Sequence, residues 1–168
     1  MTTEKLPVLA ILGGTGDLGT GLARRWAQAG YQVIIGSRTQ EKAEVAASDL
    51  REVMAERGMG DIAVQAMENL AAAEAAEIVA LTVPFSHQAS TLELVKSALQ
   101  GKILIDVTVP LVPPKVARVQ LPPGGSAGQI AQDILGEEVF VVSAFQNVAA
   151  HHLQEGRGLD CDVLVCGN

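Results

Sequence analysis

Short apolar runs alternate with longer stretches of helical periodicity along most of the chain. Apolar runs predict strands over residues 8–12, 31–36, 61–67, 78–83, 102–107, 138–143 and 161–166. Apolar residues recurring every three or four positions predict helices over residues 18–29, 39–57, 69–76, 86–99, 126–135 and 148–154. Strands that alternate with helices indicate an α/β fold built on a parallel, doubly wound sheet. We expect a single domain over residues 1–168.

Several residues between the elements support these boundaries. Gly30 follows the first helix as a C-terminal glycine, and Asn69 is expected to cap the third helix. Ser126 and Gln129 have the spacing of a capping box at the start of the fifth helix. Between these helices the alternation is interrupted, because five of the seven prolines lie between Pro110 and Pro123. A loop of this length inside a compact domain is uncommon and usually functional.

Composition excludes several classes of partner. The net charge of −7 argues against general attraction to nucleic acid or to an anionic membrane surface. No apolar run is long enough to span a membrane, and the N-terminus lacks the pattern of a secretion signal, so we expect a cytoplasmic protein. Cys161 and Cys166 have neither redox nor zinc spacing. We expect them to be buried structural thiols, and we expect no metal site.

A glycine-rich turn joins the first strand to the first helix. Gly14, Gly16 and Gly19 have the spacing G-x-G-x-x-G directly after the apolar run 8–12. In this setting the first glycine allows a tight turn, the second lets a pyrophosphate approach the backbone, and the third lets helix and strand pack closely. The N–H groups of the helix N-terminus then face the phosphates. This stretch predicts a dinucleotide site of the Rossmann type, and the alternative is a glycine turn without a ligand.

The end of the second strand indicates which dinucleotide binds. An acidic residue near this point usually accepts hydrogen bonds from the ribose hydroxyls of NAD. Here the chain reads Ser37-Arg38-Thr39, and the first acid, Glu41, already lies in the next helix. Arg38 offers a fork of donors for a phosphate, and Lys42 lies one helical turn further on. We therefore predict NADP, recognised through its 2′-phosphate; the alternative is a solvated arginine at a strand end.

Ligands of such sheets bind outside the carboxyl ends of the strands. The cofactor-binding residues expected at this rim are Gly14, Thr15, Gly16, Asp17, Leu18, Gly19, Ser37, Arg38, Thr39, Lys42, Thr82, Val83, Pro84, Phe85, Ala144, Gln146 and Asn147. The substrate-binding residues expected there are Phe85, Pro110, Ser126, Phe145 and Val148.

The sequence resembles the NADPH-dependent reductases of coenzyme F420, an 8-hydroxy-5-deazaflavin. The matching pieces are Gly-Gly-Thr-Gly-Asp-Leu-Gly at 13–19, Gly-Ser-Arg at 36–38 with Lys42, Leu-Thr-Val-Pro at 81–84 with His87, Gly-Ser-Ala at 125–127, Val-Ser-Ala at 142–144 with Asn147, and Val-Cys-Gly at 165–167. They occur in the same order over nearly the whole chain. The first two pieces indicate only an NADP-binding domain, and the later ones indicate this family.

The resemblance implies where each part of the cofactor binds. Thr15, Ser37, Arg38 and Lys42 would meet the phosphates and adenosine of NADP, and residues 83–84 would flank the nicotinamide near residues 144–148. Two positions depart from relatives, some of which have His in place of Gln146 and Pro in place of Ala149. Relatives usually continue past residue 167, so we expect this chain to lack their C-terminal segment. A more open deazaflavin site, a wall supplied by a partner subunit and a partial chain are the three explanations.

The implied reaction is hydride transfer between NADP(H) and F420, in a homodimer. Such transfer needs alignment of two rings and exclusion of water rather than catalytic acids or bases, so we expect no catalytic side chain. The loop 108–125 would cover the deazaflavin, with Phe85 and Phe145 beside the rings and residues 124–126 on a phosphate or ring oxygen. Lys115 and Arg118 would meet the acidic tail of the coenzyme.

Plainer interpretations of these residues remain open. Phe85 and Phe145 are also typical core residues, His87 is typical of a first helical turn, and the charges of the loop are typical of a solvated surface. Two other functions also remain open: an NADP-dependent reductase of another small substrate, such as an imine or a flavin-linked metal, and a non-catalytic NADP-binding sensor domain.

Overall fold

The computed structural model describes residues 5–111, 118–155 and 158–167. Within these residues the strands are β1 Leu9–Leu12, β2 Val33–Ser37, β3 Val64–Glu68, β4 Ile78–Leu81, β5 Ile103–Asp106, β6 Phe140–Ala144 and β7 Val165–Gly167. They form one sheet in the order β3-β2-β1-β4-β5-β6-β7. The first six strands have the spatial order of a doubly wound dinucleotide-binding sheet.

The helices lie between successive strands. They are α1 Asp17–Gln28, α2 Gln40–Glu56, α3 Asn69–Ala75, α4 Gln88–Val95, α5 Ala127–Leu135 and α6 Ala150–Gln154. Short 3₁₀ turns, Phe85–His87 and Lys96–Leu99, flank α4, so the helix expected over residues 86–99 is divided into three pieces. The predicted α/β class is confirmed, because parallel strands alternate with helices in the structure. Each of the six parallel strands overlaps a predicted apolar run.

The direction of the last strand differs from the expectation. β1 to β6 pair in parallel, whereas β7 runs antiparallel to β6, with Val142 opposite Gly167 and Ala144 opposite Val165. The connection of twenty residues between Ala144 and Val165 is long enough for a parallel crossover. However, α6 ends at the carboxyl rim of the sheet, where Gln154 Nε2 donates to the carbonyl of Asp17, the first residue of α1, at 2.9 Å. A strand that starts from this rim runs antiparallel to β6.

Two apolar clusters cover the two faces of the sheet. On one face Leu12, Leu81 and Leu104 pack against α3, α4 and α5, and on the other Ile11 and Ile35 pack against α1 and α2. Because successive strand residues point to opposite faces, continuous apolar runs are buried on both sides. Leu92, Val95 and Leu99 are fully buried, as their helical spacing predicts.

The structure corrects the expectation for the cysteines. Cys161 and Cys166 are both exposed and free, so the prediction of buried thiols is wrong. Both cysteines lie in the apolar run 161–166 that predicted a strand, but only Cys166 belongs to β7, and β7 is an edge strand whose residues are all exposed.

None of the helices in the described ranges has the length and apolar character that a membrane span requires.

Candidate functional site

The turn between β1 and α1 is fixed from two sides. The Gly14 N–H donates to the Gly36 carbonyl at 2.9 Å, and the Gly13 N–H donates to Asn69 Oδ1 at 3.2 Å. α1 then begins with Gly16 as its N-cap, and no side chain caps it. The N–H groups of the first turn therefore face outward without a side-chain acceptor, which is the arrangement that favours an anion.

The three motif glycines meet different surroundings. A Cβ on Gly14 would lie 2.7 Å from the Ile11 carbonyl oxygen, and a Cβ on Gly19 would lie 2.6 Å from Gly14 Cα. A Cβ on Gly16 would meet no atom within 4 Å. Gly14 and Gly19 are therefore required by packing within the protein, whereas Gly16 faces the open space that a pyrophosphate needs.

Asn69 has a role that sequence analysis missed. It does not cap α3, whose N-cap is Glu68, but is the first residue of the helix. Its side chain is 5% exposed and accepts the Gly13 N–H, and the same amide lies 2.9 Å from where a Cβ on Gly36 would stand. An asparagine directly after a strand was the available signal, but its partners lie 56 and 33 positions away along the chain and could not be read from local pattern.

A cleft of about 360 Å³ opens beside this turn at the carboxyl ends of β1, β2 and β4. It brings together eight of the expected cofactor-binding residues: Thr15, Gly16, Ser37, Arg38, Lys42, Thr82, Val83 and Pro84. Five further residues line it: Gly13, Asn69, His87, Ser90 and Thr91. Residues from five separate segments of the sequence therefore share one site.

The charges of this cleft lie at one end. Arg38 and Lys42 are exposed, and no carboxylate in the described ranges lies within ion-pair distance of either. Ser37 beneath them is buried. Thr82 on the opposite side donates its hydroxyl to the Leu12 carbonyl at 2.9 Å. The cleft thus has a cationic end beside β2 and a mainly apolar end at Val83 and Pro84, which fits a phosphorylated nucleoside joined to a planar ring.

The other expected residues of the glycine turn and of β2 lie around the cleft. Gly14 and Gly19 are buried behind it, and Leu18 packs into the core cluster under α1. Asp17 lines a neighbouring groove with Thr20 and Arg24, and Thr39 is the N-cap of α2. Phe85 is half-buried in the 3₁₀ turn that follows Pro84.

The segment after β6 lies apart from the cleft lining. Ala144 is buried, and Gln146 donates through Nε2 to the Asp106 carbonyl at 2.8 Å. Asn147 and Val148 line a separate groove of about 530 Å³ beside α6, where Asn147 Nδ2 donates to the Asp162 carbonyl at 2.6 Å. Only Gln146 of this segment is tied directly to the sheet rim.

Phe145 adopts an unusual backbone conformation. Its φ is +70°, in the left-handed region that non-glycine residues rarely occupy, and it is the only described non-glycine residue with a positive φ. Its ring lies edge-on to Trp26, with 6.2 Å between ring centroids, among the apolar residues under α1. The ring is thus placed for core packing, the plainer of the two interpretations.

The proline-rich segment is described only at its two ends. The Pro110 carbonyl accepts the Gln120 N–H at 3.1 Å, and Leu111 forms an isolated antiparallel bridge with Val119. Arg118 is exposed, and Lys115 lies outside the described residues. The Ser126 hydroxyl accepts the Gln129 N–H at 3.1 Å, which confirms the predicted cap of α5.

A buried polar cluster at the end of β5 was not anticipated. Asp106 and Gln88 are 0% and 1% exposed, and Gln88 Nε2 lies 3.0 Å from Asp106 Oδ2. The same nitrogen lies 3.0 Å from Thr108 Oγ1 and 3.0 Å from the Ala127 carbonyl. Burial raises the pKa of the Asp106 carboxyl, and hydrogen bonds from Thr108 and Gln88 act in the opposite direction. In the sequence, Asp106 lies near the end of the apolar run 102–107. That position predicts a strand and gives no sign of a functional role.

Three arginines hold α6 in place. Arg24 and Arg57 donate to the Gln154 carbonyl, and Arg25 donates to the carbonyls of His152 and Leu153 at 2.9 and 3.0 Å. These carbonyls belong to the last turn of α6, where a helix leaves its carbonyls without N–H donors of its own. Burial, and then the neighbouring charges of Arg57 and Arg25, lower the pKa of Arg24. The cluster is structural, and it fixes α6 against α1.

The chain is similar to known proteins over most of its length. Residues 8–110 match the family model described as "NADP oxidoreductase coenzyme F420-dependent". The chain is 43% identical over 164 residues to the F420-dependent NADP reductase of Methanocaldococcus jannaschii, covering 95% of this chain and 72% of that protein. It is 44% identical over 165 residues to the F420-dependent NADP reductase of Methanothermobacter marburgensis, with the same coverage of 95% and 72%.

A solved structure agrees with these relatives. A crystal structure from Arthrobacter sp. FB24, provisionally described as an F420-dependent NADP-reductase, superposes with a TM-score of 0.75 at 27% sequence identity. The match covers 97% of this chain and 74% of that chain. The predicted family resemblance is thereby confirmed.

Proposed function

The chain belongs to the coenzyme F420-dependent NADP oxidoreductases, and we propose from this premise how its residues carry out hydride transfer between NADP(H) and the deazaflavin coenzyme F420. It is an NADP-dependent oxidoreductase, with NADP as cofactor and F420 as substrate. When bound, the nicotinamide supplies or accepts the hydride. The protein's part is to bind, to orient and to exclude water.

The cationic end of the cleft is the observation that carries the proposal. Arg38 and Lys42 extend from the end of β2 and the first turn of α2 into the same cleft as Thr15 and Gly16. No carboxylate competes for either cation within the described ranges. A guanidinium and an ammonium so placed bind a 2′-phosphate, while the open N–H groups of Thr15 and the α1 N-terminus bind the pyrophosphate.

The apolar end of the cleft receives the nicotinamide in this proposal. Val83 and Pro84 form its wall, and Pro84 has no N–H to leave unsatisfied. The Thr82 hydroxyl is already committed to the Leu12 carbonyl, so it fixes the strand end rather than the ligand. Two apolar side chains against a planar ring exclude water from one of its faces, which is what hydride transfer requires.

In this proposal the deazaflavin binds next to the wall formed by Val83 and Pro84. Phe85 and Pro110 follow β4 and β5 at the same edge of the sheet, and both are partly exposed. Ser126 and Val148 remain in the proposed substrate set, although Val148 lines the separate groove beside α6 and the Ser126 hydroxyl already accepts the Gln129 N–H. Phe145 contributes through the backbone turn after β6, because its ring packs on Trp26.

A spectroscopic assay tests this function. Purified protein is mixed with NADPH and oxidised F420, and the loss of the deazaflavin's visible absorbance is followed with time. Turnover that requires both NADPH and protein supports the proposal. Tight NADPH binding without turnover of F420 would instead indicate an NADP-binding domain, and turnover with NADH as fast as with NADPH would contradict the assigned role of Arg38.

The assembly and the cellular location are also proposals. A homodimer is supported by apolar side chains that remain exposed on β6 and at the start of β7: Phe140, Leu164 and Val165. Light scattering at several protein concentrations tests it, and a monomer mass throughout would contradict it. We propose a cytoplasmic location from the sequence; fractionation of cells that express the tagged chain tests it.

A further inference from the structure

Asp106 lies at the sheet rim beside the apolar end of the cleft. In the parallel pairing of β4 and β5 it is opposite Leu81, the residue directly before Thr82 and Val83. Neighbouring strands are separated by about 4.8 Å. The Gln146 amide also donates to the Asp106 carbonyl at 2.8 Å, so the segment after β6 meets the same residue. Asp106 is therefore adjacent to the segments that form the proposed nicotinamide site.

The groups around the Asp106 carboxyl are hydrogen-bond donors. The Thr108 N–H donates to Oδ1 at 3.0 Å, and the Gln88 amide nitrogen donates to Oδ2 at 3.0 Å. The Thr108 side chain bonds the same carboxyl while its oxygen accepts from Gln88. An ionised carboxylate accepts and does not donate, so this set of donors is the one that the charged form requires.

This carboxylate has no cationic partner in the described part of the chain. No lysine, arginine or histidine there forms an ion pair with it, and its side chain is 0% exposed. Most buried charges in proteins are paired with an opposite charge or bind a metal. Amide and hydroxyl donors reduce the cost of burying the charge without cancelling it, so its field extends to its surroundings.

We propose that the buried Asp106 carboxylate favours the oxidised, positively charged nicotinamide over the reduced, neutral one, and that Gln88 and Thr108 hold it in position. This inference rests on the proposed function, because it requires the nicotinamide at the Val83–Pro84 end of the cleft. The nicotinamide ring gains one positive charge when the hydride leaves, so a nearby negative charge stabilises that product. In this role Asp106 is not a catalytic residue, because it is buried and acts on the nicotinamide through its electric field without touching the ligand.

The test compares the affinities of the two redox states. Calorimetry gives the Kd of NADP⁺ and of NADPH for the wild-type protein and for Asp106→Asn, which keeps the shape and removes the charge. Two unit charges about 12 Å apart at an effective dielectric constant near 20 interact by about 1.4 kcal/mol, so we expect the ratio of the NADP⁺ Kd to the NADPH Kd to rise about tenfold. A purely structural disturbance would change both Kd values by the same factor and leave the ratio unchanged.

A matched control removes a charge elsewhere. Asp133 is an exposed aspartate on α5 that bonds Gln129 at 2.8 Å, and Asp133→Asn changes the net charge equally. We expect it to leave the ratio unchanged. An equal change in the ratio for both variants, or no change for Asp106→Asn, would overturn the inference.

The wild-type protein decides the matter if Asp106→Asn does not fold. We then expect it to bind NADP⁺ at least as tightly as NADPH, and tighter binding of NADPH would overturn the inference. Failure of the proposed function looks different, because neither redox state would then bind with a dependence on Arg38. In that case both the function and this inference fail, whereas Arg38-dependent binding with an unchanged ratio removes only the inference.

Discussion

The two ends of the cleft place their charges in opposite ways. At the β2 end, Arg38 and Lys42 are exposed and lack an ion-pair partner within the described residues. At the β5 end, Asp106 is fully buried and its carboxyl is surrounded by hydrogen-bond donors. An exposed cation can make and break contact with a phosphate as the cofactor enters and leaves. A buried carboxylate cannot contact a ligand, but its surroundings are dry, so its field is less screened.

This difference separates recognition from electrostatic bias. Substituting Arg38 removes donors that only a phosphorylated ribose needs, so its effect depends on the chemical identity of the cofactor. Substituting Asp106 removes a charge that distinguishes two redox states of one cofactor. Four experiments test this difference between the two ends of the cleft.

The largest effect is expected at the cationic end. Arg38→Ala should weaken NADPH binding by roughly 1.5–3 kcal/mol, the usual range for hydrogen bonds to a charged group. NADH binding should hardly change, because NADH has no 2′-phosphate. Calorimetric titration with both cofactors measures this, with the exposed Lys96→Ala as control. Equal losses for NADPH and NADH would refute the assignment of Arg38 to the 2′-phosphate.

The glycine turn between the two ends gives a pair of contrasting variants. Gly19→Ala places a Cβ 2.6 Å from Gly14 Cα, so the backbone must move, and we expect a loss of about 1–3 kcal/mol in the free energy of unfolding. The Cβ of Gly16→Ala would meet no atom within 4 Å, and residue 16 has a φ of −85° that alanine adopts easily. Stability should therefore be kept, while NADPH and NADH both bind more weakly. Denaturant unfolding and titration separate the two effects. Full NADPH affinity in Gly16→Ala would contradict the role of this glycine.

Substitution at the N-cap of α5 should change the stability of the protein but not its affinity for NADPH. Ser126→Ala removes the side-chain acceptor of the Gln129 N–H and should cost about 1 kcal/mol of stability. NADPH should bind as before, because α1 and not α5 offers open N–H groups to the phosphates. The exposed Ser97→Ala serves as control. A clear loss of NADPH affinity in Ser126→Ala would mean that the cofactor extends further than proposed.

The smallest effect concerns pH. Because burial raises the pKa of Asp106, the native state binds this proton more tightly than the unfolded chain does. The unfolding free energy of the wild type, relative to that of Asp106→Asn, should therefore rise as pH falls from neutral toward about 4, the pKa of an unfolded aspartate. Denaturant unfolding of both proteins across this range measures the difference. A difference that falls with acidification would show that the hydrogen bonds outweigh burial.

The sequence was informative where local pattern decides structure. The glycine spacing, the apolar runs of β1 to β6 and the cap at Ser126 each depend on residues close together in the chain, and the structure has them as expected. Eight predicted cofactor residues share the cleft because parallel strands bring their carboxyl ends to one rim.

The unanticipated features depend on contacts between distant segments. Asn69 reaches Gly13, and Gln88 reaches Asp106 and Ala127, across separations of 56, 18 and 39 positions. A buried aspartate at the end of an apolar run has the same sequence signature as an exposed one, so only the tertiary structure distinguishes them. The antiparallel β7 likewise follows from the position of the end of α6, at the carboxyl rim of the sheet beside Asp17, and not from its own apolar residues.

The backbone at Phe145 has a consequence for which substitutions the chain tolerates. A non-glycine residue in the left-handed region costs about 1–2 kcal/mol. Glycine would relieve that cost but would lose the ring contact with Trp26, while a β-branched residue would lose the contact and increase the strain. We therefore expect a sequence library at this position to return few residues, with aromatic side chains and glycine favoured for opposite reasons.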